Sequence, residues 1–156
     1  MKQIKYYIIL VLTLGLAFSS CSNDDNIYSP QRATNAEKAS AGTYTGTWTV
    51  TQKTNITTSP GSVTLVATDS TGCTNITFLC SQMSLNAKSI ANVWNSSEGF
   101  QFVNQIATSP LNAAFSGRIT QDGSLTTNFS ITTKDSKGKN VTYNYSFTGQ
   151  NSTIKK

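Results

Sequence analysis

From Gly42 onward, apolar and polar residues alternate with a period of two, and no window carries an apolar stripe at helical spacing. In Gly42–Gln52 the even positions include Tyr44, Gly46, Trp48 and Val50, while the odd ones are all Thr. The same texture recurs in Ser62–Asp69 (Val63, Leu65, Ala67), Thr74–Ser81 (Ile76, Phe78) and residues 87–95 (Ile90, Trp94). It continues in Gly99–Ile106 (Phe100, Phe102, Ile106) and Ala113–Gln121 (Phe115, Gly117, Ile119). Ser124–Lys134 (Leu125, Phe129, Ile131) and Asn140–Gly149 (Val141, Tyr143, Tyr145, Phe147) complete the series. Thr, Val, Ile and aromatic side chains suit a pleated, half-buried surface, so each run is expected to be a strand.

Turn residues fall between the runs: Pro60-Gly61, Ser70-Thr71-Gly72, Ser109-Pro110, Asp122-Gly123 and the Ser136–Lys139 stretch. Asp122-Gly123 reads as a type I′ hairpin, which needs φ > 0 at both central residues. All three prolines are expected outside the strands, because proline cannot donate to a ladder. Eight short strands with short connections predict an all-β domain, an eight-stranded antiparallel up-and-down barrel whose closure leaves no edge. A β-sandwich fits the same strand list.

Before this region lies a different kind of sequence. Met1-Lys-Gln-Ile-Lys5 is basic, Tyr6–Phe18 is an uncharged apolar run of thirteen residues, and Ser19-Ser20-Cys21 follows. Thirteen residues are short for a bilayer span and suit the core of a signal peptide. Residues 1–20 therefore read as a signal, 21–40 as a polar flexible tether, 41–150 as the barrel and 151–156 as a tail. With the signal removed, Lys2 and Lys5 go too, leaving ten basic against seven acidic residues. A charge that small, spread along the chain, does not point to nucleic acid as a partner.

The first twenty-one residues resemble a bacterial lipoprotein signal, which implies that Cys21 is lipidated and that acyl chains hold the protein at a membrane. Asp24-Asp25 close behind resembles the surface-export signal of Bacteroidetes lipoproteins; otherwise it is a solvated spacer. An outer-membrane location follows, at the cell surface or facing the periplasm. Gly46-Thr47-Trp48, within Ala41-Gly-Thr-Tyr-Thr-Gly-Thr, resembles the G-x-W strand of the calycin-like, lipocalin-like β-barrel lipoproteins of Bacteroidetes. The resemblance covers the leader, the first strand, the strand count and the closing strand. It implies that Gly46 and Trp48 close one barrel end, where a basic side chain often stacks on the Trp; Arg118 is the candidate, with a solvated surface charge as the alternative.

The absence of His excludes Ser-His-Asp and Cys-His catalysis and the usual zinc sites. The barrel-region acids Asp69, Glu98, Asp122 and Asp135 sit at turn signals, and no phosphate-binding Gly loop or nucleophile elbow is present. No metal, cofactor or enzymatic activity is expected. Trp48, Phe115, Phe129, Tyr143 and Tyr145 share the core-facing parity. They either fill the barrel or line a cavity for a small apolar or amphipathic ligand. A filled barrel would instead bind a protein or glycan through its loops. Cys73 and Cys80 could form a disulfide, which requires a bend between them, or remain buried thiols. Asp69-Ser70-Thr71 resembles the O-glycosylation sequon of Bacteroidetes envelope proteins, with Ser70 as the acceptor.

Overall fold

A computed structural model of the chain describes residues 35–104, 111 and 113–151. Eight antiparallel strands follow one another around a closed barrel, and the last pairs with the first. They are β1 (Gly42–Gln52), β2 (Asn55–Ala67), β3 (Cys73–Cys80), β4 (Leu85–Ser96), β5 (Gly99–Asn104), β6 (Phe115–Thr120), β7 (Ser124–Lys134) and β8 (Asn140–Asn151). A four-residue helix, α1 (Ala36–Ala39), leads into β1, and a 3-10 turn at Ser81–Met83 joins β3 to β4. The up-and-down barrel is the expected arrangement, and the sandwich is set aside. The signal, the anchor residue Cys21, Asp24-Asp25 and the tether up to residue 34, Ile106, the Ser109-Pro110 turn signal and the tail beyond Asn151 lie outside the described residues.

Parity is kept from strand to strand by the ladders. Tyr44 is opposite Val63, Val63 opposite Phe78, and Phe78 opposite Ala87. These side chains all point inward, and the core they form is contiguous around the barrel. The outer face of β1 is the row of Thr residues that alternation requires.

Four expectations change at particular residues. Pro60 and Gly61 do not form a turn but lie inside β2, opposite Thr47 and Gly46. The ladder from β2 to β3 begins only at Ser62. The Pro60 carbonyl accepts from the Cys80 thiol on the β3 side, at 3.5 Å. In extended backbone a residue's N and C=O point the same way, so Pro60 turns its missing N–H toward a stretch with no ladder. The β1–β2 reversal falls instead at Lys53-Thr54, where Lys53 takes φ 54°. That turn lacks Gly or Asn, and therefore lacks a sequence signal.

The second change is in β4. Ile90 is 47 % exposed, whereas Leu85, Ala87, Ala91 and Val93 point inward. Small residues are needed there because Ala87 faces Phe78 and Val93 faces Phe102 across the ladders. The third is the Asp122-Gly123 turn. Only Gly123 has positive φ, 82°, and its N–H donates to Thr120 O at 2.9 Å. The link is a three-residue loop ending in a left-handed Gly, not a type I′ pair.

The fourth concerns the tether, expected to run to residue 40. Ala36, Glu37 and Ser40 are buried against the barrel instead. Cys73 and Cys80 do not bridge: they occupy the two ends of one extended strand, and Cys80 is a free, buried thiol.

Candidate functional site

Glycines shape the barrel where β8, β1 and β2 meet. Gly46 lies opposite both Gly149 and Gly61. A Cβ on Gly46 would collide with the Thr148 carbonyl and the Gly149 Cα, and one on Gly61 with the Leu79 carbonyl and the Trp48 ring. Only hydrogen fits at either position. The space so left lets the Trp48 indole N–H donate to the Leu79 carbonyl at 3.1 Å. That bond satisfies the one polar atom of a fully buried Trp.

Trp48 is the hub of a ring cluster. Its centroid lies 5.0 Å from Phe147, 5.8 Å from Phe129 and 5.9 Å from Phe78. Phe78 continues the cluster to Phe115 at 5.1 Å, and Phe115 meets Phe102 at 6.5 Å. Edge-to-face and tilted geometries of this kind add to the burial of the rings. The sequence singled out Trp48, Phe115 and Phe129 as candidate ligand contacts; they are 0 %, 3 % and 4 % exposed and touch other rings. Phe78, Phe102 and Phe147 had the same parity but were not separated from the general core. Arg118 does not reach Trp48. It lies on the outer face, 3.5 Å from Glu98, in a pair whose side chains are 60 % and 71 % exposed. Such a pair contributes little to stability.

One barrel end is closed. Glu37 of α1 accepts the Gly72 N–H at 3.0 Å, and the Tyr44 hydroxyl donates to Ser40 O at 2.9 Å. Burial pushes the Tyr44 hydroxyl above its ordinary pKa, and a hydrogen bond with the Asn151 side chain pulls the other way. The end is therefore sealed by α1 and Tyr44; the G-x-W Trp48 stands in the ring cluster instead of capping it. A polar notch of about 250 Å³ beside α1 is lined by Asn35, Glu37, Lys38, Thr68, Asp69 and Thr71. Ser70 lies in the adjoining β2–β3 turn.

The opposite end is built differently. β2 pairs with β1 from Asn55 but with β3 only from Ser62. β7 pairs with β8 up to Lys134 but with β6 only as far as Phe129. The β1–β8 ladder, which reaches Thr51 and Asn144, joins the two long hairpins. They form a four-stranded shelf, in the order β2–β1–β8–β7, that extends past its ladders with β3 and β6.

The inner face of this shelf carries the remaining two candidates. Phe129, Tyr145, Val50 and Thr57 make one cross-strand row. Ile131 and Tyr143 pair in the next, where the Gln52 amide donates to the Tyr143 hydroxyl at 3.4 Å and Asn55 stands opposite Gln52. Tyr145 stacks on Phe129 at 4.9 Å with the ring planes 13° apart, and so rests on the cluster below. Burial raises the Tyr145 pKa, with smaller contributions from Tyr143 and Cys80. Tyr143, Tyr145, Val50 and Gln52 are half-buried. Sequence alternation found the two tyrosines. It could not find Gln52 or Val50 as their neighbours, since that adjacency depends on the β1–β8 register.

Among the described residues no cluster of three or more His, Cys, Asp or Glu could hold a metal ion, and no helix is long and apolar enough to cross a membrane. No family model, curated protein or solved structure matches the chain.

Proposed function

We propose that this protein is a lipid-anchored envelope binding module that holds a small amphipathic ligand at the open rim of its barrel. The observation that carries the reading is the pair Tyr143 and Tyr145, half-buried on the shelf and standing above a floor of packed rings. Aromatic faces beside a few hydroxyl and amide groups suit an amphipathic ligand with one apolar face and a polar edge. Trp48, Phe115 and Phe129 act from beneath, as the floor that keeps the shelf in place. The anchor rests on Tyr6–Phe18 followed by Cys21, and the calycin-like resemblance on Gly46-Thr47-Trp48 in a closed eight-stranded barrel.

Two measurements test the reading. An alkyne-fatty-acid label should appear on the full chain in its bacterial host and vanish in Cys21→Ser; persistence in that variant overturns the anchor. Native mass spectrometry of the mature chain in lipid nanodiscs should show a bound small molecule that Tyr143→Ala loses while its melting temperature is kept. Retention of the molecule by Tyr143→Ala, or its absence from the wild type, overturns the rim site.

A further inference from the structure

The charges are spread along the chain but not in space. At the tips of the two long hairpins stand Lys53, Lys134, Lys137 and Lys139, with Asp135 the sole acid among them. Among the described residues of the closed end the balance is reversed: Glu37, Asp69, Glu98 and Asp122 stand against Lys38 and Arg118. The Asp135 carboxylate is occupied by the turn itself, accepting the backbone N–H groups of Lys137 and Lys139, each at 2.9 Å. Among the described residues the one ion pair is Arg118 with Glu98, so none of the four lysines has a carboxylate partner.

We infer that the open rim selects an acidic glycan, a saccharide segment bearing carboxylate or sulfate groups. The inference rests on the rim site proposed above and adds its ligand class. Three features of one end combine. The apolar part of the shelf, Ile131, Tyr143, Tyr145 and Val50, offers a surface on which the C–H face of a pyranose can stack. The polar part, Gln52, Asn55 and Thr57, lies beside it on β1 and β2 and meets the hydroxyl edge of the same ring. Lys53, Lys137 and Lys139, in the turns at the hairpin tips, then meet the acid groups of the sugar, whereas Lys134, opposite Asn140, has the outward parity. A fatty acid would need a tunnel for its chain, whereas below the shelf Tyr145 stacks on Phe129 and Phe129 packs on Trp48 and Phe78. The shallow site favours a flat ring over a chain.

Biolayer interferometry on the mature chain in nanodiscs tests this. The probes are a heparin hexasaccharide, hexagalacturonate, uncharged cellohexaose, a single-stranded oligonucleotide and the apolar dye Nile red. At least one acidic hexasaccharide should bind more tightly than cellohexaose and the oligonucleotide, and weaken as salt is raised, because exposed charges are screened. Replacing Lys53, Lys137 and Lys139 with Ala should cost about tenfold or more in that affinity, from three exposed charge contacts. Tyr143→Ala should abolish it. Binding of cellohexaose or Nile red with equal or greater affinity, lost in Tyr143→Ala, leaves the rim site standing and overturns the acidic-glycan assignment. Preference for the oligonucleotide overturns it as well. Binding of no probe removes both the assignment and the rim site.

Discussion

The two ends of this barrel are made from the same alternating strands and come to opposite results. At the closed end each strand has a neighbour on both sides, α1 covers the opening, and Tyr44, Ala36 and Leu125 are buried to 1 % exposure or less. At the open end β2 and β7 outrun their ladders with β3 and β6, so among the described residues these two shelf strands there have a ladder partner on one side only. Tyr143 and Tyr145 keep the parity of core residues without the burial of core residues. Inward parity buries a side chain only where the register closes the ring of strands around it.

This contrast is broken most strongly at the cluster that supports both ends. Phe78→Ala removes a fully buried ring in contact with Trp48, Phe115 and Phe129. It should lower stability by about 3–5 kcal/mol in a urea titration. Tyr143→Ala on the shelf should change the same midpoint by less than about 0.5 kcal/mol. Equal losses would show that the shelf is core after all.

Next come the two devices that seal the barrel. Gly61→Ala pushes a methyl into the Leu79 carbonyl and the Trp48 ring and should cost about 1–3 kcal/mol. A red shift and quenching of Trp emission should accompany it as the indole bond to Leu79 loosens. Glu37→Ala leaves the buried Gly72 N–H without its acceptor, which should cost about 1–3 kcal/mol. Glu37→Gln, which keeps an acceptor oxygen, should recover most of that loss. Hydrogen exchange at Gly72 should quicken in Glu37→Ala and stay slow in Glu37→Gln. Fast exchange in the wild type would mean that α1 does not hold the end shut.

The smallest effect appears only in alkali. Tyr44 and Tyr145 both titrate above the ordinary 10.0, chiefly through burial. The fold favours their protonated forms, so the stability they contribute is complete below pH 10.0 and is lost as pH rises through the raised values. Phenolate absorbance should show both titrating late. Tyr44→Phe should flatten the stability curve above pH 10.0, and Tyr143→Phe should bring Tyr145 closer to its ordinary value. Tyrosines that all ionise at the ordinary value would count against burial at both ends.

The Thr-alternating run from Gly42 to Gln52 and the matching run from Ser124 to Lys134 were legible to the residue as β1 and β7. Alternation is a property of neighbours in sequence, and a long polar–apolar repeat names both the strand and its inner face. Where the alternation is interrupted the reading fails. Pro60 and Gly61 look like a turn because nothing local reveals that the β2–β3 ladder ends at Ser62, just after them. Ile90 and Trp94 look like core because nothing local reveals that the rings Phe78 and Phe102 already fill the space opposite β4. Glu37, in a stretch as polar as a linker, is buried only because the β2–β3 turn places Gly72 above it.

What the amino-acid order decided alone was the all-β character, the strand count and the parity of Trp48, Phe129, Tyr143 and Tyr145. What needed the folded chain was which of these rings become floor and which are displayed, and that four of the six described lysines stand at one end. Those outcomes depend on the stagger between ladders and on the volume eight strands enclose. Both are sums over residues far apart in sequence, and neither is written in any one strand.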